Sequence, residues 1–140
     1  EVERLTAGLD DEELRRPEAP GKWSVVEVVQ HLADAELMMS VRLRTTVVDD
    51  RPPLAGYDQD AWADRLRYRD VPLAGALDQL AGLRRANLRW LATLSEAERR
   101  RVAVHAERGE ESVELMIRLL AGHDLVHRRQ IARVRRAIGA

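Results

Sequence analysis

The stretch that decides the fold is SVELMIRLLAGHDLVHRRQIARVRRAIG, residues 112–139. Ser112 at its start and Gly139 at its end are residue types that commonly begin and end helices. Between them, a stripe of side chains steps by three or four: Val113, Met116, Leu120, His123, His127, Ile131, Val134 and Ile138. Because most of these residues are apolar, the pattern predicts a long amphipathic helix that buries this side.

Two histidines occupy positions on this side where apolar residues are expected. His123 and His127 lie one helical turn apart, so both imidazoles should point inward and can hold one metal ion. His31 has an equivalent inward position in an earlier helix, on the same face as Ala35. Helices packed about 8 to 10 Å apart can bring His31 to the pair. The sequence therefore predicts a three-histidine site with positions left open for water or substrate; the alternative is three separate histidines bonded in the core or at the surface.

Two more long helices are expected upstream of this one. Ser24 followed by Glu27 is a capping-box pattern that opens a helix reaching about residue 48. Asp70 as N-cap, with Pro72 in the first turn, opens another that reaches residue 94. Residues 95–111 are expected to form a turn of helix followed by an irregular loop around Gly109.

The apolar stripes of the three long helices can bury only against one another. This predicts a single all-α domain over residues 1–140, in which the helices form most of a bundle and no sheet of three or more strands occurs. A chain of 140 residues can bury roughly two thirds of its unfolded surface, which is enough for one core.

Composition excludes several classes of function. The formal net charge of −1 gives no electrostatic reason to expect a nucleic-acid or acidic-membrane partner. No apolar run approaches the ~20 residues of a membrane span, and the N-terminus has no signal-peptide core, so a cytoplasmic protein is expected. The chain has no cysteine. Any metal must therefore be held by nitrogen and oxygen, and any thiol nucleophile must arrive as a small molecule.

Other catalytic motifs fit less well. His123 to His127 has the H-x-x-x-H spacing of zinc proteases, but Asp124 stands where their glutamate does and is one methylene shorter. Asp124 is instead expected at the helix surface or bonded to a metal-binding imidazole. The sequence contains no Walker loop, G-x-G-x-x-G run or G-x-S-x-G elbow, which argues against nucleotide binding and serine hydrolysis.

Three segments together resemble a known family. They are Gly21-Lys22-Trp23-Ser24 leading through Glu27 to His31-Leu32-Ala33-Asp34-Ala35-Glu36, then Gly56-Tyr57-Asp58-Gln59-Asp60-Ala61-Trp62, and finally Ala121-Gly122-His123-Asp124-Leu125-Val126-His127. Their order and combination are similar to the DinB/YfiT-like superfamily. The resemblance implies a four-helix bundle with metal bound by one histidine of the W-S-x-x-E-x-x-x-H helix and two of the last helix. On this sequence those ligands are His31, His123 and His127.

One divalent ion per chain is expected, with Zn or Ni favoured among the metals that imidazoles bind. A homodimer is expected because apolar surface around Val2, Leu5 and Leu9 is left for a partner and because similar proteins are often homodimers. Family members with an assigned activity resemble thiol-dependent S-transferases or isomerases that use mycothiol, bacillithiol or glutathione, so a small-molecule thiol and an electrophile are the expected partners. The competing interpretation is a non-catalytic bundle in which the metal clamps helices and the apolar surface mediates dimerisation. The sequence departs from the family in its first helix, which is expected to be short or truncated because only a short piece precedes Asp10.

Three polar residues are candidates for supporting the site. Glu27 and Asp34 flank His31 and could orient imidazoles, although a helix cap and a solvated face explain them equally well. His105 is expected in a surface loop, with approach to the metal as the alternative.

Two further groups complete the candidates. Tyr57 and Asp60 could line the open side of the metal, together with Asp58 and Trp62, which an N-cap and a core position also explain. A group of arginines near the end of the last helix is expected to be a solvated face that could also bind an anionic cosubstrate: Arg128, Arg129, Arg133, Arg135 and Arg136.

Overall fold

Three long helices dominate the computed structural model, which describes residues 1–140. The helices are α1 (Val2–Thr6), α2 (Asp11–Arg15), α3 (Val25–Val48), α4 (Gln59–Arg65), α5 (Leu73–Leu91), α6 (Glu96–Arg99) and α7 (Val113–Ile138). The strands are β1 (Pro53–Leu54), β2 (Val102–His105) and β3 (Gly109–Ser112), and a 3₁₀ turn covers Tyr68–Asp70. Because α3 packs against both α5 and α7, the predicted helical bundle is confirmed.

The ends of the long helices follow the sequence signals closely. The Glu27 carboxylate accepts a hydrogen bond from the backbone N–H of Ser24 at 2.7 Å, as in the predicted capping box, and a second one from Ser24 Oγ at 2.6 Å. Gly139 ends α7 with φ of +83°, a left-handed conformation that glycine adopts without steric cost. Helix α5 begins later than expected, because Asp70 ends the 3₁₀ turn and Pro72 is the N-cap.

Two apolar clusters lie at opposite ends of α3. The first joins the start of α3 to α2, α5 and the C-terminal half of α7: Leu14, Val25, Val26, Val28, Val29, Leu32, Ala76, Ile131 and Val134. The second joins the end of α3 to the strands and the start of α7: Leu43, Leu54, Ala103, Val113 and Met116. Between them α3 buries a polar belt: Gln30, His31, Asp34, Glu36 and Ser40. Polar groups buried in this way require partners on the neighbouring helices.

Asp34 finds its partners on three elements. Its carboxylate accepts hydrogen bonds from the Tyr68 hydroxyl at 2.6 Å, from Gln79 Nε2 at 2.8 Å and from Gln30 Nε2 at 3.1 Å. Asp34 is only 8% exposed, so the expectation of a solvated face is wrong. Burial and the bond to Asp34 raise the pKa of Tyr68, which keeps its hydroxyl protonated as a donor. These bonds tie α5 and the turn before it to α3.

A small three-stranded sheet lies where an irregular loop was expected. Strands β2 and β3 form an antiparallel hairpin, and β1 pairs with β2 in parallel. Leu54 of β1 and Ala103 of β2 belong to the second apolar cluster and so attach the sheet to the bundle. The prediction of no three-stranded sheet is therefore wrong. Strands of two and four residues are too short for an alternating apolar pattern to stand out in the sequence.

The first helix of this sequence lies against α7. Helix α1 has five residues and packs against the C-terminal half of α7, where Arg135 Nη1 donates to the Leu5 carbonyl oxygen at 2.8 Å. Val2, Leu5 and Leu9 extend the first apolar cluster on this side. None of the helices combines the length and the apolarity that crossing a membrane would require.

Candidate metal centre

Three histidine side chains meet between α3 and α7. His31 comes from α3, and His123 and His127 come from successive turns of α7. Nε2 of His31 lies 2.9 Å from Nε2 of His123, and one ring nitrogen of each of the three residues lies within 4.8 Å of the others. The structure therefore brings together the three residues that the helical spacing selected.

Burial favours the neutral form of all three imidazoles. His31 is 1% exposed, and its burial, with repulsion from His127 and His123, lowers its pKa to about 3. Burial and His127 lower the pKa of His123 to about 4. Burial also lowers the pKa of His127, although its hydrogen bond with Gln130 opposes the shift. At neutral pH each ring can therefore offer a nitrogen lone pair to a metal.

The orientation of His127 is set by a residue that the sequence did not single out. Nδ1 of His127 lies 2.8 Å from Oε1 of Gln130. Because an amide oxygen only accepts, Nδ1 carries the proton and Nε2 keeps its lone pair. Glu27 and Asp34 bond to the other groups described above, so the alternative in which they orient imidazoles is wrong. Gln130 follows His127 by three residues, and that spacing is the sequence signal that could have identified it.

The donor set fits a divalent transition metal. Three neutral imidazole nitrogens suit Zn, Ni, Cu or Fe ions. The group that could hold an ion consists of His31, His123 and His127, with no carboxylate and no fourth histidine among them. A structural site usually has four protein ligands, whereas a catalytic site usually has three and an open position.

A cavity of about 350 Å³ adjoins His123, between the middle of α3, the strands and α7. Its apolar wall consists of Ala35, Met38, Met39, Leu119 and Leu120. Its polar wall consists of Arg42, Tyr57, Gln59, His105, Glu107 and Arg108. The volume falls within the range of about 300 to 1,000 Å³ typical of small-molecule sites.

Of the candidate residues around α4, one lines the cavity and the others lie outside it. Tyr57 lines the cavity, and Trp62 packs against its ring with centroids 4.6 Å apart. Asp58 accepts hydrogen bonds from the backbone N–H groups of Asp60 and Ala61 and so caps α4. Asp60 does not line the cavity.

His105 and the C-terminal arginines differ from expectation. His105 is 2% exposed and lies in β2, so its assignment to a surface loop is wrong; it lines the cavity but is not among the three converging imidazoles. Arg133 forms an ion pair with Glu18, and Arg135 donates to a carbonyl of the first helix. None of the five arginines lines the cavity, which leaves Arg42 and Arg108 as its arginines.

A partly buried ion-pair network lies between α3, α5 and α7. Glu36 is fully buried, and its carboxylate accepts from Arg84 Nε at 2.8 Å and from Asn87 Nδ2 at 2.6 Å. Arg84 Nη1 donates to Asp124 Oδ2 at 2.7 Å, and Asn87 also donates to Ser40. Asp124 is thus engaged with α5, which argues against a protease-like general base and against a bond to a metal-binding imidazole. The network includes Asp124, the residue that follows His123, and so ties α3 and α5 to α7 beside the candidate site.

Acid is expected to destabilise the metal-free protein. The pKa of His31 is about 3 in the folded chain against 6.5 for an ordinary histidine, so the unfolded chain binds more protons below pH 6.5. Stability is therefore undiminished above about pH 6.5 and falls between that pH and about pH 3, by about 2 kcal/mol at pH 5 for His31 alone.

Urea unfolding of the metal-free protein at pH 7 and pH 5 would measure this loss. His31→Asn is the control, because it removes one titrating ring and should reduce the difference between the two pH values. An equal difference in parent and variant would contradict the assignment.

The fold is a helical bundle, and histidines from two of its helices form a candidate site for a transition metal. Residues 1–131 match the DinB superfamily. This chain belongs to that family.

Relatives carry names that agree with such a site. A Geobacillus kaustophilus protein named "putative metal-dependent hydrolase" is 32% identical over 143 residues, which cover 99% of this chain and 79% of that protein. One with the same description from Geobacillus thermodenitrificans is 31% identical over 138 residues, covering 95% and 75%.

The fold is similar to that of YfiT from Bacillus subtilis. The two structures agree with a TM-score of 0.92 at 24% sequence identity, over 99% of this chain and 79% of YfiT. YfiT is described as "a probable metal-dependent hydrolase with an unusual four-helix bundle topology". The similarity confirms the predicted four-helix-bundle class.

Proposed function

We propose that this protein is a metal-dependent enzyme that transfers a low-molecular-weight thiol to a small electrophile, at a centre held by His31, His123 and His127. The observation that carries the proposal is the cavity beside His123, because a three-ligand site next to a cavity of small-molecule size can admit a substrate. A divalent ion bound there would supply Lewis acidity, which lowers the pKa of a thiol or a water. Since the chain has no cysteine, the thiol is a cosubstrate.

The residues around the centre support this chemistry. The three neutral imidazoles can hold an ion without cancelling its positive charge, and Gln130 keeps Nε2 of His127 free of a proton. Met38, Met39 and Leu119 form an apolar wall that can contact the apolar part of an electrophile and exclude water from it.

Hydrolysis is the second candidate, because several relatives are named metal-dependent hydrolases. Such a reaction would use the same three histidines and the same cavity, with water in place of the thiol. A non-catalytic clamp is less well supported, since a clamp needs neither an incomplete ligand set nor an adjoining cavity.

The proposal predicts metal-dependent formation of a thiol adduct. Metal-loaded protein would be incubated with an epoxide or a chlorodinitrobenzene, together with mycothiol, bacillithiol or glutathione in turn, and the products identified by mass spectrometry. The adduct is expected to form faster than with His127→Ala protein or with metal-stripped protein. Hydrolysed electrophile without adduct would favour the hydrolase, and metal-loaded protein without turnover on any pair would favour the clamp.

A further inference from the structure

Arg42 is a charged side chain without a counterion at the wall of the cavity beside His123. Its Nη2 donates to the carbonyl oxygen of Ala55, its Nε is buried without a partner, and no carboxylate forms an ion pair with it. The Tyr57 ring lies nearby, with its centroid 5.9 Å from Cζ of Arg42. Burial and the positive charge of Arg108 lower the pKa of Arg42, and the smaller effects of Tyr57 and of the Glu111 carboxylate, which pairs with Arg108 instead, oppose this shift. A partly buried arginine whose Nε lacks a partner is suited to an anionic ligand, because charged groups that lose water normally gain an opposite charge or an acceptor.

Two of the unsatisfied groups at the cavity are hydrogen-bond donors, Nε of Arg42 and Nε2 of His105. Four buried side-chain atoms in the protein have no partner, and three of them belong to residues of this cavity: Nε of Arg42, Nε2 of His105 and Nδ1 of His123. Nδ1 of His105 accepts from the backbone N–H of Glu107 at 3.2 Å, so in the neutral ring the proton is on Nε2. Because buried donors normally have partners, this cluster favours a ligand that accepts hydrogen bonds.

A second guanidinium lies at the same end of the cavity. Arg108 pairs with Glu111, but its side chain is 46% exposed and lines the cavity. Glu107 is the acidic residue among those that line the cavity, and it forms no ion pair with Arg42 or Arg108. The polar end of the cavity thus presents one free and one paired arginine.

We propose that this cavity binds a small molecule with a carboxylate, which Arg42 holds, and an apolar part that lies along Met38, Met39 and Leu119 towards the three histidines. The inference rests on the proposed function, because it names the substrate class of that same centre. Arg42 follows His31 by eleven positions on one helix, which corresponds to about 16 Å between their Cα atoms. Because Arg42 and His123 both line the cavity, an aryl or alkyl carboxylate can extend from one towards the other.

Isothermal titration of zinc-loaded protein with phenylbutyrate and with phenylbutyramide tests the proposal, since the two ligands differ in charge and hardly in shape. The carboxylate is expected to bind about tenfold more tightly or better. Arg42→Gln should abolish this preference, and Arg42→Lys, which keeps the charge, should retain part of it. Arg118→Gln is the matched control, because Arg118 is an exposed arginine of α7 that pairs with Glu114 away from the cavity.

The same titration on metal-free protein separates Arg42 from the ion as the carboxylate's partner. The preference is expected to persist there, and because it does not depend on turnover, it can hold even if thiol transfer fails. Equal affinities for the acid and the amide, or no binding of either at millimolar concentration, would overturn the proposal. So would a preference for the acid that disappears when the metal is removed, or an Arg42→Gln substitution that weakens the binding of both ligands equally.

Competition between ligands identifies which substrate carries the carboxylate. If glutathione displaces phenylbutyrate and the uncharged mercaptoethanol does not, the carboxylate that Arg42 binds belongs to the thiol cosubstrate. If neither thiol displaces it while the acid still outbinds the amide, the carboxylate belongs to the electrophile.

Discussion

Replacing His31, His123 or His127 with alanine is expected to weaken the binding of a divalent transition metal by more than about 100-fold. Loss of a group that only orients a metal ligand costs about 10- to 100-fold in affinity, and loss of a ligand should cost more. Calorimetric titration with Zn or Ni would measure the change, and elemental analysis after dialysis should give one ion per chain for the parent protein.

Two other variants make this test specific. His105→Ala removes the fourth histidine of the chain, which is buried but outside the group of three, and it should leave metal affinity unchanged. Gln130→Ala should give an intermediate loss, because it frees Nδ1 of His127 without removing a ligand. Three single variants that hold metal as tightly as the parent would show that the imidazoles converge for another reason.

Arg84→Met is expected to lower the free energy of unfolding by about 3 kcal/mol. The substitution leaves the fully buried Glu36 carboxylate with a neutral partner, Asn87, and breaking a buried pair in this way costs about 3 to 5 kcal/mol. The lower end applies because the Arg84 side chain is 32% exposed. Chemical denaturation at neutral pH would measure the loss.

The neighbouring Arg85 provides a matched control. It is exposed, so Arg85→Met should change stability by less than about 0.5 kcal/mol. Replacing Glu36 with leucine in the Arg84→Met protein should restore part of the loss, because no unpaired charge is then buried. Similar losses in Arg84→Met and Arg85→Met would mean that the network contributes little.

The long helices and the inward orientation of the three histidines could be predicted because their sequence signals are local. The stripe of α7 and the capping box at Ser24 each lie within a few turns of chain, and the inward positions of His31, His123 and His127 follow from the same periodicity. Whether the three residues bind metal stays a prediction, as do the homodimer and the cytoplasmic location.

The strands and the buried polar partners could not be predicted because they depend on contacts between distant segments. Leu54 in β1 pairs with His105 in β2 although 50 residues intervene in the chain, and neither segment is long enough to carry a pattern. Glu36 and Arg84 are 48 residues apart and look like ordinary surface residues until α3 and α5 pack together. Sequence periodicity indicates which side of its helix each residue lies on, but it does not indicate which residue of another helix will contact it.

The sequence separation of the histidines bears on when the centre can exist during synthesis. His31 and His123 are 92 residues apart, and α7 leaves the ribosome after α1 to α6. A chain that is still being made has one of the three imidazoles and cannot compete well for scarce metal. An ion bound to both helices would also stabilise the folded chain, because the site exists only when α3 and α7 are packed together and the free energy of binding adds to that of folding. Metal occupancy would thus distinguish finished, folded molecules from incomplete ones.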